Sequence, residues 1–122
     1  MLWIAGEPDR LSSKARAALE TARTNGEGLA ISDISLLEVV TLVNKGKIQP
    51  AVSLESLLHE FETGFVVLPI TGRACLLTLG LPADYPKDPA DRIIAATALA
   101  ENTPLVTADR KIQRSKAVQT IW

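Results

Sequence analysis

Four acidic residues are the strongest candidates for chemistry in this chain: Glu38, Asp88, Asp91 and Asp109. Clustered carboxylates repel one another unless a cation or a shared proton neutralises them. Because the chain has one cysteine and one histidine, an all-oxygen ligand set is favoured, which suits Mg²⁺ or Mn²⁺ rather than zinc. Such a cation can polarise a phosphoryl oxygen and lower the pKa of bound water. The natural reaction for this site is hydrolysis of a phosphodiester.

Glu38 lies in a segment, residues 35–43, that is apolar almost all round when drawn as a helix. A carboxylate there is expected to be partly buried, which costs free energy unless it meets a cation or hydrogen-bond donors. The alternative is a glutamate at the helix edge that reaches solvent or pairs with Lys45 or Lys47. The helix by itself leaves both interpretations open.

The three aspartates also have structural interpretations. Asp88, Pro89 and Asp91 form a strong helix-start signal, so capping would explain both acids, and for Asp88 we favour the cap. The helix face below Asp91 carries small apolar side chains, which points that face at a sheet. Asp109 follows the apolar strand 105–107, where open α/β sheets bind ligands, although it could instead cap the next helix. Acids that βα alternation brings to one sheet edge indicate a shared cation site.

Basic residues follow Asp109 directly. Arg110, Lys111, Arg114 and Lys116 place four of the thirteen basic residues in a short stretch. These side chains could hold a nucleic-acid backbone beside the cation. The alternative interpretation is a solvated helix face.

Helices and strands that alternate along the chain must position these residues. Apolar spacing, caps and stop signals predict an α/β fold on a parallel sheet with helices on both faces. The predicted helices cover residues 12–24, 33–45, 53–62, 72–79, 88–102 and 110–114, and the predicted strands cover 28–32, 65–70, 104–107 and 117–122. Residues 1–6 resemble the last turn of an apolar helix that ends at a glycine.

Length and composition predict one soluble cytoplasmic domain over residues 1–122. The chain is 47% hydrophobic and 22% charged, and no apolar run is long enough to cross a bilayer. A net charge of −1 excludes the global basic footprint of a dedicated duplex-DNA binder. Cys75 is expected in the core and His59 at the surface.

The pattern resembles PIN-domain ribonucleases, specifically the VapC-type toxins of bacterial type II toxin–antitoxin modules. The resemblance covers essentially the whole chain. It rests on residues 2–8, 10–12, 35–38, 45–47 and 67–70 and, most specifically, on 87–98 and 105–109.

The resemblance implies a PIN-like, Rossmann-like three-layer α/β/α fold and RNA cleavage that depends on Mg²⁺ or Mn²⁺. It implies that Glu38, Asp91 and Asp109 are catalytic metal ligands, that Asp88 is an additional acid at the metal, and that Thr107 is a hydroxyl residue beside the site. The implied partners are an RNA substrate, a cognate antitoxin protein and a second copy of the chain, without a membrane.

One departure from the family pattern is expected to matter. Family members begin with a strand that ends in a metal-binding aspartate, whereas this chain starts after it, so we expect that ligand and the strand near the middle of the sheet to be missing. Asp9 is a poor substitute by position. We expect a shortened coding sequence. The alternative is a catalytically inactive, truncated PIN domain that acts only in antitoxin or RNA binding.

A phospho-acceptor receiver domain is a further alternative, because receiver domains also cluster acids at the carboxyl ends of parallel strands. It needs a strand-terminal aspartate in mid-sequence, for which Asp33 is a fair candidate. We place this interpretation well below the nuclease.

Overall fold

The computed structural model describes residues 2–3 and 12–122. Strands and helices alternate along most of this part of the chain. In chain order they are β1 (Leu2–Trp3), α1 (Ser13–Thr24), β2 (Ala30–Ser32), α2 (Asp33–Asn44), α3 (Leu54–Gly64), β3 (Val66–Leu68), α4 (Gly72–Leu77), a 3₁₀ turn (Thr78–Gly80), α5 (Pro89–Ala100), β4 (Leu105–Val106), α6 (Arg110–Ser115) and β5 (Thr120–Ile121).

The five strands form one parallel sheet in the order β3-β2-β1-β4-β5. In the central register, Leu2 lies between Ala30 of β2 and Leu105 of β4. Because all strands run the same way, their carboxyl ends share one edge, from which the helices that carry the acidic residues begin. The predicted parallel α/β fold is confirmed.

The helical assignment of the first six residues is wrong for Leu2 and Trp3, which form strand β1 between β2 and β4. The middle of the sheet, where a missing strand was expected, therefore holds this two-residue strand. A short apolar run fits a buried parallel strand as well as a helix turn, and periodicity cannot separate them over so few residues. Asp9 lies outside the described residues.

Polar side chains begin the helices where the sequence indicates. The hydroxyl of Ser12 accepts a hydrogen bond from the amide of Ala15, and Ser53 does the same for Ser56. Helix α2 begins at Asp33 because Ser32, the last residue of β2, serves as its cap. Such caps satisfy amides that a helix leaves without an internal partner.

Helix α5 forms the centre of the core. Its residues Ile94–Ala98 are all buried. Ile94, Ala95 and Ala98 pack in one cluster with buried side chains that include Leu105 of β4 and Ile112 of α6. The small alanine side chains let the helix approach the sheet closely, as expected from the face below Asp91.

Cys75 is exposed rather than part of the core. Helix α4 buries Ala74, and the next residue lies about 100° further round a helix of 3.6 residues per turn. His59 is exposed, as predicted. Within residues 12–122, no helix has the length and apolar character to span a membrane.

Candidate active site

The acidic residues lie on elements that meet at the carboxyl edge of the sheet. Glu38 is in the second turn of α2, which begins directly after β2 and packs against α5. Asp91 is in the first turn of α5. Asp109 follows β4 and begins α6. The fold therefore brings the predicted acids to one side of the sheet, although they are far apart in sequence.

Asp88 is the N-cap of α5, as its sequence context indicates. One oxygen, Oδ1, accepts hydrogen bonds from the amides of Ala90 at 2.8 Å and Asp91 at 3.4 Å. Pro89 occupies the first helical turn, where its missing N–H costs nothing. The cap fixes the backbone of Asp91 while it adds a negative charge beside it.

Asp109 is also a cap, and its position depends on Thr107. Its Oδ1 accepts from the amides of Lys111 at 2.8 Å and Ile112 at 3.1 Å. The hydroxyl of Thr107, which is buried, accepts from the amide of Asp109 at 3.1 Å. The carbonyl of Thr107 in turn accepts from the side-chain amide of Gln113. Thr107 therefore holds the turn on which Asp109 lies.

The acids influence one another's ionisation. Burial raises the pKa of Glu38, and the negative charges of Asp91 and Asp88 raise it further. Burial likewise raises the pKa of Asp91, followed by the charges of Asp88 and Asp109. Among the described residues, the charges that shift the pKa of these two carboxyls belong to neighbouring acids. The four predicted acids are therefore one electrostatically linked group with an excess of negative charge.

The donor chemistry of this group fits a hard divalent cation. Carboxylate oxygens are the ligands that Mg²⁺ and Mn²⁺ prefer, and a cation would relieve the repulsion that, after burial, contributes to both raised pKa values. Within the described part of the chain, however, no three His, Cys, Asp or Glu side chains lie close enough together to hold a metal ion. These residues supply suitable donor atoms for such an ion, but they do not form a complete coordination shell.

The predicted RNA-binding residues lie on α6, next to Asp109. Arg110, Lys111 and Arg114 are all exposed. Asp109 caps the helix that carries them, so these cations begin directly beside the acidic edge. Exposure fits both a nucleic-acid contact and a solvated helix face.

Two residues that sequence analysis did not single out tie the first turn of α5, which carries Asp91, to its surroundings. The phenol of Tyr85 donates to the carbonyl of Asp91 at 3.1 Å. The guanidinium of Arg92 donates to the carbonyl of Thr78, in the 3₁₀ turn, at 2.9 Å. Burial raises the pKa of Tyr85 most, the charges of Asp91 and Asp109 raise it further, and Arg92 lowers it. A single aromatic residue between two prolines of the loop was the available sequence signal for Tyr85.

The fold and the site together define a class of protein, namely a parallel α/β domain with acidic residues at the carboxyl edge of its sheet. The family model for the PIN domain matches residues 1–117. The chain belongs to the PIN domain family, which confirms the resemblance inferred from its sequence. Asp33, the receiver-domain candidate, instead accepts a hydrogen bond from the backbone amide of Ile70.

A curated relative and solved structures agree with this assignment. The chain is 35% identical to Ribonuclease VapC22 of Mycobacterium tuberculosis over 122 residues, which cover 98% of this chain and 91% of the relative. The structure of VapBC2 from Rickettsia felis bound to a promoter DNA fragment matches with a TM-score of 0.68 and 21% identity, over 98% of this chain and 97% of that one. FitAcB from Neisseria gonorrhoeae matches with a TM-score of 0.60 and 17% identity, over 98% and 96%. The structural matches establish the shared fold.

Proposed function

We propose that this chain is an endoribonuclease dependent on Mg²⁺ or Mn²⁺ and the toxin of a toxin–antitoxin pair. The observation that carries the proposal is the electrostatic linkage of Glu38, Asp88, Asp91 and Asp109 at one edge of the sheet. The name of the relative, a ribonuclease, supports the same activity. We place the activity in the cytoplasm, where RNA is available.

The carboxylates of Glu38, Asp91 and Asp109 would hold the cation, with Asp88 contributing charge. A bound divalent ion supplies Lewis acidity and a lowered pKa for water. In the hydrolysis, a water oxygen forms a bond to phosphorus, one P–O bond breaks, and the departing oxygen takes up a proton. The residues of this chain position the components of that reaction.

Each supporting residue has a defined task. Asp88 and Thr107 hold the turns that carry Asp91 and Asp109. Arg110 and Lys111 would bind phosphates of the RNA on either side of the cleaved bond. Their charge also offsets the repulsion between the acidic edge and a polyanion.

We infer that an antitoxin covers an apolar patch beside this edge. Leu76 and Leu79 are 71% and 82% exposed, which is high for large apolar side chains. They flank Thr78, whose carbonyl binds Arg92 next to Asp91. The matched structures include a toxin–antitoxin complex from Klebsiella pneumoniae, with a TM-score of 0.62. We also propose that two copies of this chain form a homodimer.

The direct test is cleavage of a mixed RNA pool with Mg²⁺ or Mn²⁺. Asp91→Asn and Asp109→Asn each remove a ligand charge, while asparagine still caps a helix at position 109. We expect each change to lower the cleavage rate about a hundredfold or more. Asp84→Asn, an exposed acid in the loop before α5, is the matched control and should cleave normally. Full cleavage by the double variant would refute the carboxylate mechanism.

A second candidate function is binding without catalysis. It is favoured by the lack of a finished three-ligand cluster among residues 12–122. In that case the wild-type chain would bind RNA or an antitoxin peptide without cutting RNA under either metal. The cleavage assay and an RNA-binding assay on the same preparation separate the two functions.

A further inference from the structure

Tyr85 is a buried aromatic residue in a loop whose other central side chains face solvent. It is 1% exposed, whereas Ala83, Asp84 and Lys87 are exposed. A turn holds its backbone, because the amide of Tyr85 donates to the carbonyl of Pro82 at 3.0 Å. The ring anchors the loop between the 3₁₀ turn and α5 into the core.

The ring of Tyr85 packs among side chains from several elements of the core cluster. Its members include Leu81, Ile94, Ala95, Ala98, Leu105 and Ile112. Apart from Leu81 in the loop, these residues come from α5, which carries Asp91, and from β4 and α6, on either side of Asp109. The aromatic ring therefore belongs to the same packed cluster as side chains of the helix that carries Asp91 and of the helix that Asp109 caps.

The hydroxyl group of Tyr85 has a specific hydrogen-bond partner. Its hydroxyl donates to the backbone carbonyl of Asp91, while Asp88 accepts from the amide of the same residue. The peptide groups on both sides of Asp91 are thus held by side chains. A buried hydroxyl that loses its partner costs free energy, so the phenol restrains this turn of α5 against displacement.

The charges of Asp91 and Asp109 both raise the pKa of the phenol, after burial. The hydroxyl therefore lies within electrostatic reach of both carboxylates. A neutral donor here adds no positive charge to compete with a cation.

We propose that Tyr85 is a positioning residue that sets the place of the Asp91 carboxylate relative to Asp109 for cation binding. The inference rests on the proposed function and deepens it, because it assigns part of the cation affinity to a residue that does not touch the ion. Small displacements of a metal ligand carry large costs, and residues that orient ligands commonly affect metal affinity.

The first test is Tyr85→Phe, which keeps the ring in the core and removes the hydroxyl. We expect Mn²⁺ affinity, measured by calorimetry, to fall about three- to tenfold, the range of one net hydrogen bond. Thr97→Val is the matched control: it removes a buried hydroxyl that donates to the carbonyl of Ile93 in the same helix. Both variants should lose stability, but Thr97→Val should keep its Mn²⁺ affinity. Equal affinities for Tyr85→Phe and wild type, or equal losses in both variants, would overturn the proposal.

The second test keeps the hydroxyl of Tyr85 in place. Tyr85 is the single tyrosine of the chain, so 3-fluorotyrosine labelling gives one residue's ¹⁹F signal. We expect Mg²⁺ to shift that signal at the concentration that saturates binding, and the shift to disappear in Asp91→Asn. If the ¹⁹F signal did not shift with Mg²⁺ while calorimetry recorded binding, the role of Tyr85 would be contradicted and the proposed function would remain intact. Wild-type protein that neither binds Mn²⁺ nor cuts RNA would overturn both.

Discussion

The guanidinium of Arg92 donates a hydrogen bond to the backbone carbonyl of Thr78 at 2.9 Å, which ties the first turn of α5 to the 3₁₀ turn after α4. The bond joins two elements that the loop of residues 81–88 would otherwise leave connected by packing alone. It also accounts for an arginine directly after a candidate metal ligand. Its guanidinium binds a backbone carbonyl of the 3₁₀ turn.

Replacing Arg92 with methionine should destabilise the fold. Methionine keeps much of the apolar stem and removes the donor to Thr78, so we expect a loss of about 1–2 kcal/mol in unfolding free energy. Urea unfolding measures this value. Arg16→Met, an exposed change on α1, should stay within about 0.5 kcal/mol of wild type. Equal values for the two variants would contradict the importance of the bond.

Glu38→Gln should stabilise the protein at neutral pH. Burial and the charges of Asp91 and Asp88 raise the folded-state pKa of Glu38 above its ordinary 4.5. A raised pKa gives stability that is complete below the unfolded value and is lost as pH rises through the folded value. We therefore expect a melting temperature about 2–4 °C higher at pH 7 and no difference near pH 4.

The control for this change is Glu60→Gln, at an exposed position of α3. It should leave the melting temperature unchanged at both pH values. With saturating Mn²⁺, wild type should have a higher melting temperature than Glu38→Gln, because the ion stabilises the protein that binds it more tightly. A lower melting temperature for Glu38→Gln at pH 7 without metal would contradict the prediction.

Cation affinity should rise with pH. The raised pKa values of Glu38 and Asp91 mean that protons compete with a cation in the acidic range. We expect Mn²⁺ to bind more tightly as pH rises from about 5 to 7, with protons released on binding. Calorimetry in buffers of different ionisation enthalpy measures the release. Asp91→Asn should release fewer protons, and an affinity independent of pH would show that these carboxyls do not bind the ion.

The basic residues of α6 should control the salt dependence of RNA binding. In an Asp91→Asn background, which prevents cleavage, Lys111→Gln should weaken binding and reduce the slope of log K against log salt by about 0.7. Lys14→Gln on α1, also exposed, is the matched control and should keep the slope. If both variants showed the same slope of log K against log salt, Lys111 would belong to a solvated helix face rather than to the RNA-binding surface.

Two buried serines at the start of α2 should respond oppositely to alanine. Ser32 caps α2 by accepting from the amide of Ile34, so Ser32→Ala should cost about 1 kcal/mol. Ser35 is 3% exposed, and within the described residues its hydroxyl oxygen has no hydrogen-bond partner. Ser35→Ala should therefore leave the unfolding free energy unchanged or raise it by about 1 kcal/mol. A loss comparable to that of Ser32→Ala would contradict this account.

Local signals predicted most of the helices and strands well. The caps at Ser12, Ser53, Asp88 and Asp109 depend on contacts within three residues, which is the range that a sequence pattern records. The alternation of strands and helices then placed the acids at one edge. The proximity of Glu38 to Asp91 follows from topology rather than from either helix alone.

Contacts that depend on the path of a loop or on strand pairing escaped prediction for a physical reason. The bonds of Tyr85 and Arg92 depend on the path of a loop and of a 3₁₀ turn, which no periodicity encodes. Gln113 reaches Thr107 because α6 turns back over the end of β4. The strand at Leu2–Trp3 depends on pairing with β2 and β4, residues distant in sequence. Such partners exist only in the assembled fold.

The burial of Ile94–Ala98 also determines where the protein opens first. Slow hydrogen exchange belongs to segments whose amides are shielded by packing, and fast exchange to segments near solvent. Helix α5 has five buried residues in succession, whereas α3 has none among its described residues. We therefore expect local opening to begin in peripheral helices such as α3, and the buried turns of α5 that follow Asp91 to exchange only when the domain unfolds globally.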